Sequence, residues 1–260
     1  MTGRPEVWAI TNQKGGVGKT TTAVTLAALH AAAGRHCLLI DLDPHASASR
    51  YFGYSGSGSD NVLYRAMRDP GFTPQAANTV VDGLTLLPAC PELATLGRDS
   101  AGGAAGLAIK RLVERLAGVD IIIVDGPPTL GVLMINALVA ADRLIVPTLT
   151  DPLAMYGVES LDRTLVQIEH SLGRRPPWCI VATQFDRRTR CAHSGLRALE
   201  ERWGDAVWDE TIPIDTQLRE ASARGLPIGL HAPDSRAARA YRRLYRDLID
   251  EGNHRNRSAA

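Results

Sequence analysis

Lysine is nearly absent from this 260-residue chain: Lys14, Lys19 and Lys110 are all it has. Positive charge is otherwise carried by arginine. Two lysines five residues apart in one glycine-rich segment therefore mark a place that needs compact ammonium groups, not planar guanidinium forks. Cysteine is also scarce. Cys37, Cys90, Cys179 and Cys191 include no C-x-x-C pair, so zinc and iron–sulfur centres lack a ligand framework. Cys37 and Cys179 lie in apolar runs and read as small buried hydrophobes. No apolar run reaches the roughly 20 residues of a membrane-spanning helix. The start, MTGRPEVWAI, lacks the basic-then-apolar layout of a signal peptide. These absences leave a cytosolic globular protein as the expectation. The 45% apolar and 22% charged content is ordinary for that class.

Net charge is +1, unevenly spread. Residues 1–170 hold 13 Lys+Arg against 16 Asp+Glu, whereas residues 171–260 hold 16 against 12. All sixteen of those later cations are arginine, a basic bias of the kind that meets nucleic acid. A solvated arginine surface is the plainer reading of the same bias.

Apolar runs alternate with helical patterns along the chain. VWAIT, HCLLIDLD, LTLLPA, VDIIIVD, RLIVPTL, WCIVATQFD and AVWDETIP read as strands. TTTAVTLAALHAAAG, LAIKRLVERLAG, VLMINALVAAD, residues 154–172 and AHSGLRALEERWG read as helices. A last helix carries Ala237, Ala240, Tyr241, Leu244, Tyr245, Leu248 and Ile249 at helical spacing. Strand–helix alternation predicts an α/β fold with a single doubly wound, mostly parallel sheet. One domain is expected over residues 1–251, with 252–260 a disordered tail.

The segment TNQKGGVGKTTT follows a strand and opens a helix, the setting of a phosphate-binding P-loop. Gly15, Gly16 and Gly18 allow the tight turn that points N–H groups at phosphate oxygens. Lys19 is placed to reach the β- and γ-phosphates, and Thr20 to offer its hydroxyl to Mg²⁺. Two features depart from G-x-x-x-x-G-K-[ST]: Gln13 stands at the first glycine, and Lys14 is an extra cation. Acids close two strands, Asp41 and Asp43 in DLDP and Asp125 in IIIVD. Ligands of open α/β sheets sit at the carboxyl ends of strands, so these acids converge on the loop. Asp125 then holds Mg²⁺ through water, and Asp43 either joins it or positions an attacking water.

Together KGGVGKTTT, DLDPHASAS, IIIVDGPPTLG, INALVAADRLIVPT and TQFDRRTR resemble the ParA/Soj branch of the ParA–MinD ATPases, P-loop enzymes with a deviant Walker A segment. The resemblance runs from about Ala9 to about Leu248. It implies an ATPase that uses ATP and Mg²⁺, with Lys14 crossing a homodimer interface to the nucleotide of the other subunit. It implies that Lys14 and Asp43 serve hydrolysis, that Thr20, Asp43 and Asp125 serve the metal, and that Val17, Thr21 and Pro213 join the P-loop residues at the nucleotide. Gly126 to Gly131 would form a switch loop, in which Gly126, standing where the family often has Cys, adds freedom. His45 stands where the family often has Gln and receives no catalytic role.

The resemblance also implies nonspecific DNA binding, here through Arg187, Arg188 and Arg190, with Arg219 and Arg224 in a second segment. That segment departs from the family pattern, since PIDTQL puts Ile214 and Gln217 where arginines often stand. A ParB-like or cargo-adaptor protein would stimulate hydrolysis, in a nucleoid-associated cytoplasmic protein. Two other readings belong to the same superfamily. One is a biosynthetic synthetase acting on a small carboxylate. The other is a MinD-like membrane-associated ATPase, for which the last helix supplies Arg236, Arg239, Arg242, Arg243 and Arg246. Its apolar stripe has core-helix spacing, which disfavours membrane anchoring.

Overall fold

The runs VWAI, CLLI, IIIV and LIV do not alternate in polarity because both faces of each strand are covered. In the computed structural model, which describes residues 4–54, 61–96 and 106–258, they become the middle of one eight-stranded sheet. The strands are β1 (Glu6–Ile10), β2 (Cys37–Asp41), β3 (Ala77–Asn78), β4 (Leu84–Leu87), β5 (Ile121–Asp125), β6 (Arg143–Thr148), β7 (Trp178–Phe185) and β8 (Val207–Pro213). Their order is β3-β4-β2-β5-β1-β6-β7-β8. Every pair is parallel except β3–β4. The two-residue β3 has no signal in the sequence, because so short a strand exists only by pairing with its neighbour.

Successive side chains go to opposite faces. Val7, Leu38, Ile40, Ile122, Val124, Leu144 and Val146 enter one core layer. Trp8, Ile10, Cys37, Leu39, Ile121, Ile123 and Ile145 enter the other. The first layer is covered by α3 (Val62–Arg68), α4 (Ala108–Val113), α5 (Val132–Ala140), α6 (Pro152–Leu172) and α7 (Arg190–Trp203). The second is covered by α1 (Lys19–Ala32), α2 (Ser47–Tyr51), α8 (Gln217–Ala223), α9 (Ile228–His231) and α10 (Arg236–Ser258). The doubly wound parallel architecture is as expected.

Two elements differ from the sequence pattern. The helix expected over LAIKRLVERLAG is confined to Ala108–Val113. Beyond it, Arg115 turns its guanidinium onto the carbonyls of Ala66 (2.8 Å) and Phe72 (3.1 Å), a tertiary contact that helical continuation would break. At the other end, α10 continues to Ser258, past the boundary drawn after residue 251. Its stripe of Ala237, Ala240, Tyr241, Leu244 and Leu248 is buried against the sheet, each 0–1% exposed. Among the described residues no helix is long and apolar enough to cross a membrane.

Candidate functional site

Parallel pairing puts all the central strand ends on one edge. β1 lies between β5 and β6, and Ile10 pairs with Asp125 while Asp41 pairs with Asp125 from the other side. The loop from Thr11 to Gly18 leaves this edge at the point where the strand order reverses, the crevice in which α/β sheets hold ligands. Gly16 and Gly18 take φ of 73° and 85°, values that side-chain-bearing residues rarely adopt. Gly18 is the N-cap of α1, has no side-chain cap, and the first turn carries no acid. By contrast α6 and α7 are capped by Asp151 and Thr189. The first N–H groups of α1 are therefore left to a ligand, and the helix end favours an anion.

Lys19 is 7% exposed and its ammonium donates to the Lys14 carbonyl at 2.8 Å. Burial lowers its pKa, against the opposing pull of Asp125 and Asp43. Thr20 Oγ1 donates to Asp125 Oδ2 at 2.7 Å. The other oxygen, Asp125 Oδ1, is buried with no hydrogen-bond partner. Burial first, then the neighbouring Asp41, pushes the Asp125 carboxyl well above the ordinary carboxylate range. Asp41 is pushed up to about 6, chiefly by burial, although Ser49 donates to it through N (2.8 Å) and Oγ (2.7 Å). Asp41 thus anchors α2, while Asp43 faces the cleft. Asp43 Oδ1 accepts from the backbone N of His45 (3.0 Å) and pairs with its ring Nδ1 (2.9 Å).

Among the described residues no group of three or more His, Cys, Asp or Glu is placed to hold a metal ion. The residues fit a different arrangement. An unpartnered buried carboxylate oxygen beside a threonine hydroxyl suits Mg²⁺, which keeps several waters and takes the rest of its shell from phosphate. Thr20 would bind it directly, with Asp125 and Asp43 acting on its waters.

The buried acids also set a stability prediction. A carboxyl whose folded pKa is raised contributes stability below its unfolded value, near 4, and loses it as pH rises through the folded value. The nucleotide-free protein is therefore expected to lose stability between pH 4 and pH 6 as Asp41 ionises. Asp125→Asn keeps an acceptor for Thr20 and removes an acid that burial and Asp41 make costly to ionise. It is expected to stabilise the nucleotide-free protein by about 1–2 kcal/mol at pH 7, at about 2–4 °C in Tm per kcal/mol, while losing Mg²⁺-dependent turnover. A lowered Tm in differential scanning fluorimetry would contradict the pKa assignment.

The cleft has two connected ends. The phosphate end, about 570 Å³, is lined by Gly15, Gly16, Lys19, Thr20 and Asp43, and also by Arg50, Tyr51 and Gln184. The other end, about 490 Å³, has a mixed lining of Ile212, Pro213, Ile214 and Leu218 with the polar Thr21, Asp215 and Arg219. Gly18, Thr21, Gln184 and Ser222 line both. Val17 is fully buried, and its carbonyl accepts from Thr183 (2.8 Å), so its side chain shapes the loop from below. Arg50, Gln184 and Ser222 escaped sequence reasoning. Gln184 takes φ 51° and donates to the Gly16 carbonyl at 2.6 Å. Arg50 follows DLDPHASAS on a five-residue helix whose placement the sequence does not announce.

Lys14 is not directed out of the molecule. Its ammonium pairs with both oxygens of Asp151, at 2.9 and 3.0 Å. Burial works to raise the Asp151 pKa, but hydrogen bonds from Lys14 and from the Ala154 N–H outweigh it and hold it low. Gly126 also reads differently in three dimensions. A Cβ there would lie 2.9 Å from Thr11 Cβ and Oγ1, so glycine also serves the close approach of the β5 end to the strand that leads into the P-loop. Of the arginines expected at DNA, Arg187, Arg188 and Arg190 are exposed at the β7–α7 turn, with Arg188 held by Asp186. Arg224 is exposed at the end of α8. Arg219 lines the second end of the cleft, beside Pro213 and Leu218.

A family model described as an AAA domain matches residues 5–175. The chain is 37% identical to the chromosome-partitioning ATPase Soj of Thermus thermophilus, over 93% of this chain and 94% of that one. It is 32% identical to the sporulation initiation inhibitor protein Soj of Bacillus subtilis, over 95% and 99%. In structure it is similar to cobyrinic acid a,c-diamide synthase from Mycobacterium smegmatis with bound ADP and magnesium, with a TM-score of 0.79 and 29% identity over 96% of each chain.

Proposed function

The chain belongs to the ParA/Soj-type ATPases, and on that premise we propose that it is a partition or positioning ATPase whose ATP-bound form is a homodimer that holds DNA without sequence preference. Lys14 carries this reading. It belongs to the loop whose glycines line the phosphate cleft, and among the described residues the ion-pair partner of its ammonium is Asp151, whose side chain is 37% exposed. A partly exposed pair of this kind is worth about 0–1 kcal/mol. The triphosphate of a facing subunit offers Lys14 a stronger anionic partner. ADP lacks the terminal phosphate, so nucleotide state becomes association state.

Within each subunit the residues divide the work. Lys19 and the first N–H groups of α1 hold the β- and γ-phosphates, with Gly15, Gly16 and Thr21 shaping the pocket. Pro213 packs against the base. Magnesium, when bound, supplies a charge that offsets the phosphates, and Thr20 and Asp125 place it. Asp43 orients the attacking water, and His45 restrains one of its oxygens. A ParB-like or cargo-adaptor partner accelerates hydrolysis and thereby release. The protein then acts in the cytoplasm on the nucleoid, without a membrane.

The test is retention of the full chain on DNA of random sequence with ATP, with ADP and without nucleotide. Retention with ATP alone is expected; equal retention in all three states would contradict the reading. The 29% identity to the synthase favours one alternative, ATP-driven chemistry on a small carboxylate. The higher identity to Soj proteins, 37% and 32%, weighs against it. ATP turnover stimulated by such a metabolite and indifferent to DNA would decide for the synthetase.

A further inference from the structure

The phosphate end of the cleft is rich in acid. Asp43 lines it, and the buried Asp41 and Asp125 end β2 and β5 at the same edge of the sheet. A nucleotide adds the negative charge of its phosphates to this edge. Two cations line this end, Lys19 from α1 and Arg50 from α2. Lys14 belongs to the same loop as Lys19, but its ammonium is taken up by Asp151.

Arg50 has no task within the fold. It is exposed, and among the described residues its guanidinium has neither a carboxylate nor a hydrogen-bond partner. Arg143, Arg175, Arg188, Arg202 and Arg243, by contrast, each pair with an acid. An exposed arginine without a partner is ordinarily a solvated charge. The place of Arg50 and the support beneath it argue for more.

The support is rigid on both sides of the residue. Ser49 donates to Asp41 through N (2.8 Å) and Oγ (2.7 Å), and its Oγ accepts from the Ala89 N–H at 2.9 Å. Tyr51 is 8% exposed, and its hydroxyl donates to the Leu226 carbonyl at 2.9 Å. The Arg50 N–H itself donates to the Ala46 carbonyl at 2.9 Å. Ser47 and Arg50 stand at i and i+3, one face of a helix, and both line the cleft. The backbone that carries Arg50 is thus fixed beside the phosphate end, while the guanidinium is unclaimed. Capture of an anion then costs the ordering of one side chain and no rearrangement of the main chain. A guanidinium fork matches phosphate oxygens two at a time, and it gives up its water more readily than an ammonium does.

We propose that Arg50 binds the phosphate chain of the nucleotide, as a second cation beside Lys19. This role rests on the nucleotide reading of the cleft and adds to it a residue outside both the P-loop and the strand-end acids.

The test is isothermal titration of the full chain with Mg-ADP and with a Mg-bound non-hydrolysable ATP analogue, using wild type, R50Q and R50K. R50Q removes the charge and keeps a good helix former. It is expected to bind about tenfold or more weakly, the worth of a charge-assisted hydrogen bond to phosphate. R50K keeps the charge without the fork and should recover part of the loss. Weakening with both nucleotides places the guanidinium on phosphates that ADP shares; weakening confined to the triphosphate analogue places it on the terminal one. The Tm of the nucleotide-free protein should stay as in wild type, since Arg50 holds nothing in the fold. Wild-type affinity in R50Q for both nucleotides would overturn the proposal and leave the nucleotide reading standing. An affinity loss matched by a lowered nucleotide-free Tm would also overturn it, because the effect would then be structural. A wild type that binds neither nucleotide would remove the nucleotide reading and the role of Arg50 together.

Discussion

Lys19→Ala is expected to weaken ATP binding by about a hundredfold or more, the worth of two charge-assisted hydrogen bonds to phosphate. The side chain is 7% exposed at the base of the loop, and its ammonium is held 2.8 Å from the Lys14 carbonyl. Burial has already removed much of its water, so little further desolvation is needed when phosphate arrives. A long exposed lysine would give up more entropy and hydration for the same contact. The fold should tolerate the change, since alanine is the best helix former at the start of α1. Isothermal titration with a non-hydrolysable ATP analogue and Mg²⁺ measures it. Affinity within about threefold of wild type would show that the P-loop backbone alone carries the phosphates.

Asp43→Ala is expected to separate binding from turnover. Hydrolysis should fall by about a hundredfold to ten-thousandfold, the usual range for losing a positioned acid–base group. ATP affinity should change little, because Asp43 repels phosphate as much as it helps to organise the metal. Its side chain is 11% exposed and one oxygen is committed to His45. The other is free to face a water in the cleft. On the proposed cycle the variant stays on DNA once ATP is added, because release requires loss of the terminal phosphate. Phosphate release and DNA dwell time measured on one preparation test both halves. Release at the wild-type rate would remove Asp43 from the hydrolytic step.

Much of this site was legible in the sequence, for a physical reason. The P-loop is local: strand, glycine turn, Lys19, Thr20 and helix lie within a few residues of each other, and nothing distant has to be guessed. Asp41 and Asp125 were legible through a rule about sheets, since parallel strands bring their carboxyl ends to one edge, and the observed pairing of Asp41 with Asp125 follows it. What sequence missed depends on contacts between distant segments. The partner of Lys14 is Asp151, 137 residues away. Gln184 reaches Gly16 across 168 residues. Arg236 and Arg239 line one hollow with Arg187 because α10 packs across β8. Gly126 shows the same limit in reverse. A glycine in a loop suggests freedom, while the structure gives it a steric task set by Thr11.

The joint reading of the terminal phosphate by two copies of the chain rests on Lys14 leaving Asp151 for a facing subunit. Sedimentation velocity of wild type and Lys14→Ala, each with Mg²⁺ and a non-hydrolysable ATP analogue or ADP, bears on it most directly. Wild type should sediment as a dimer with the triphosphate and as a monomer with ADP, and Lys14→Ala should remain a monomer with both. A wild-type monomer at saturating triphosphate, or a Lys14→Ala dimer as stable as wild type, would contradict it.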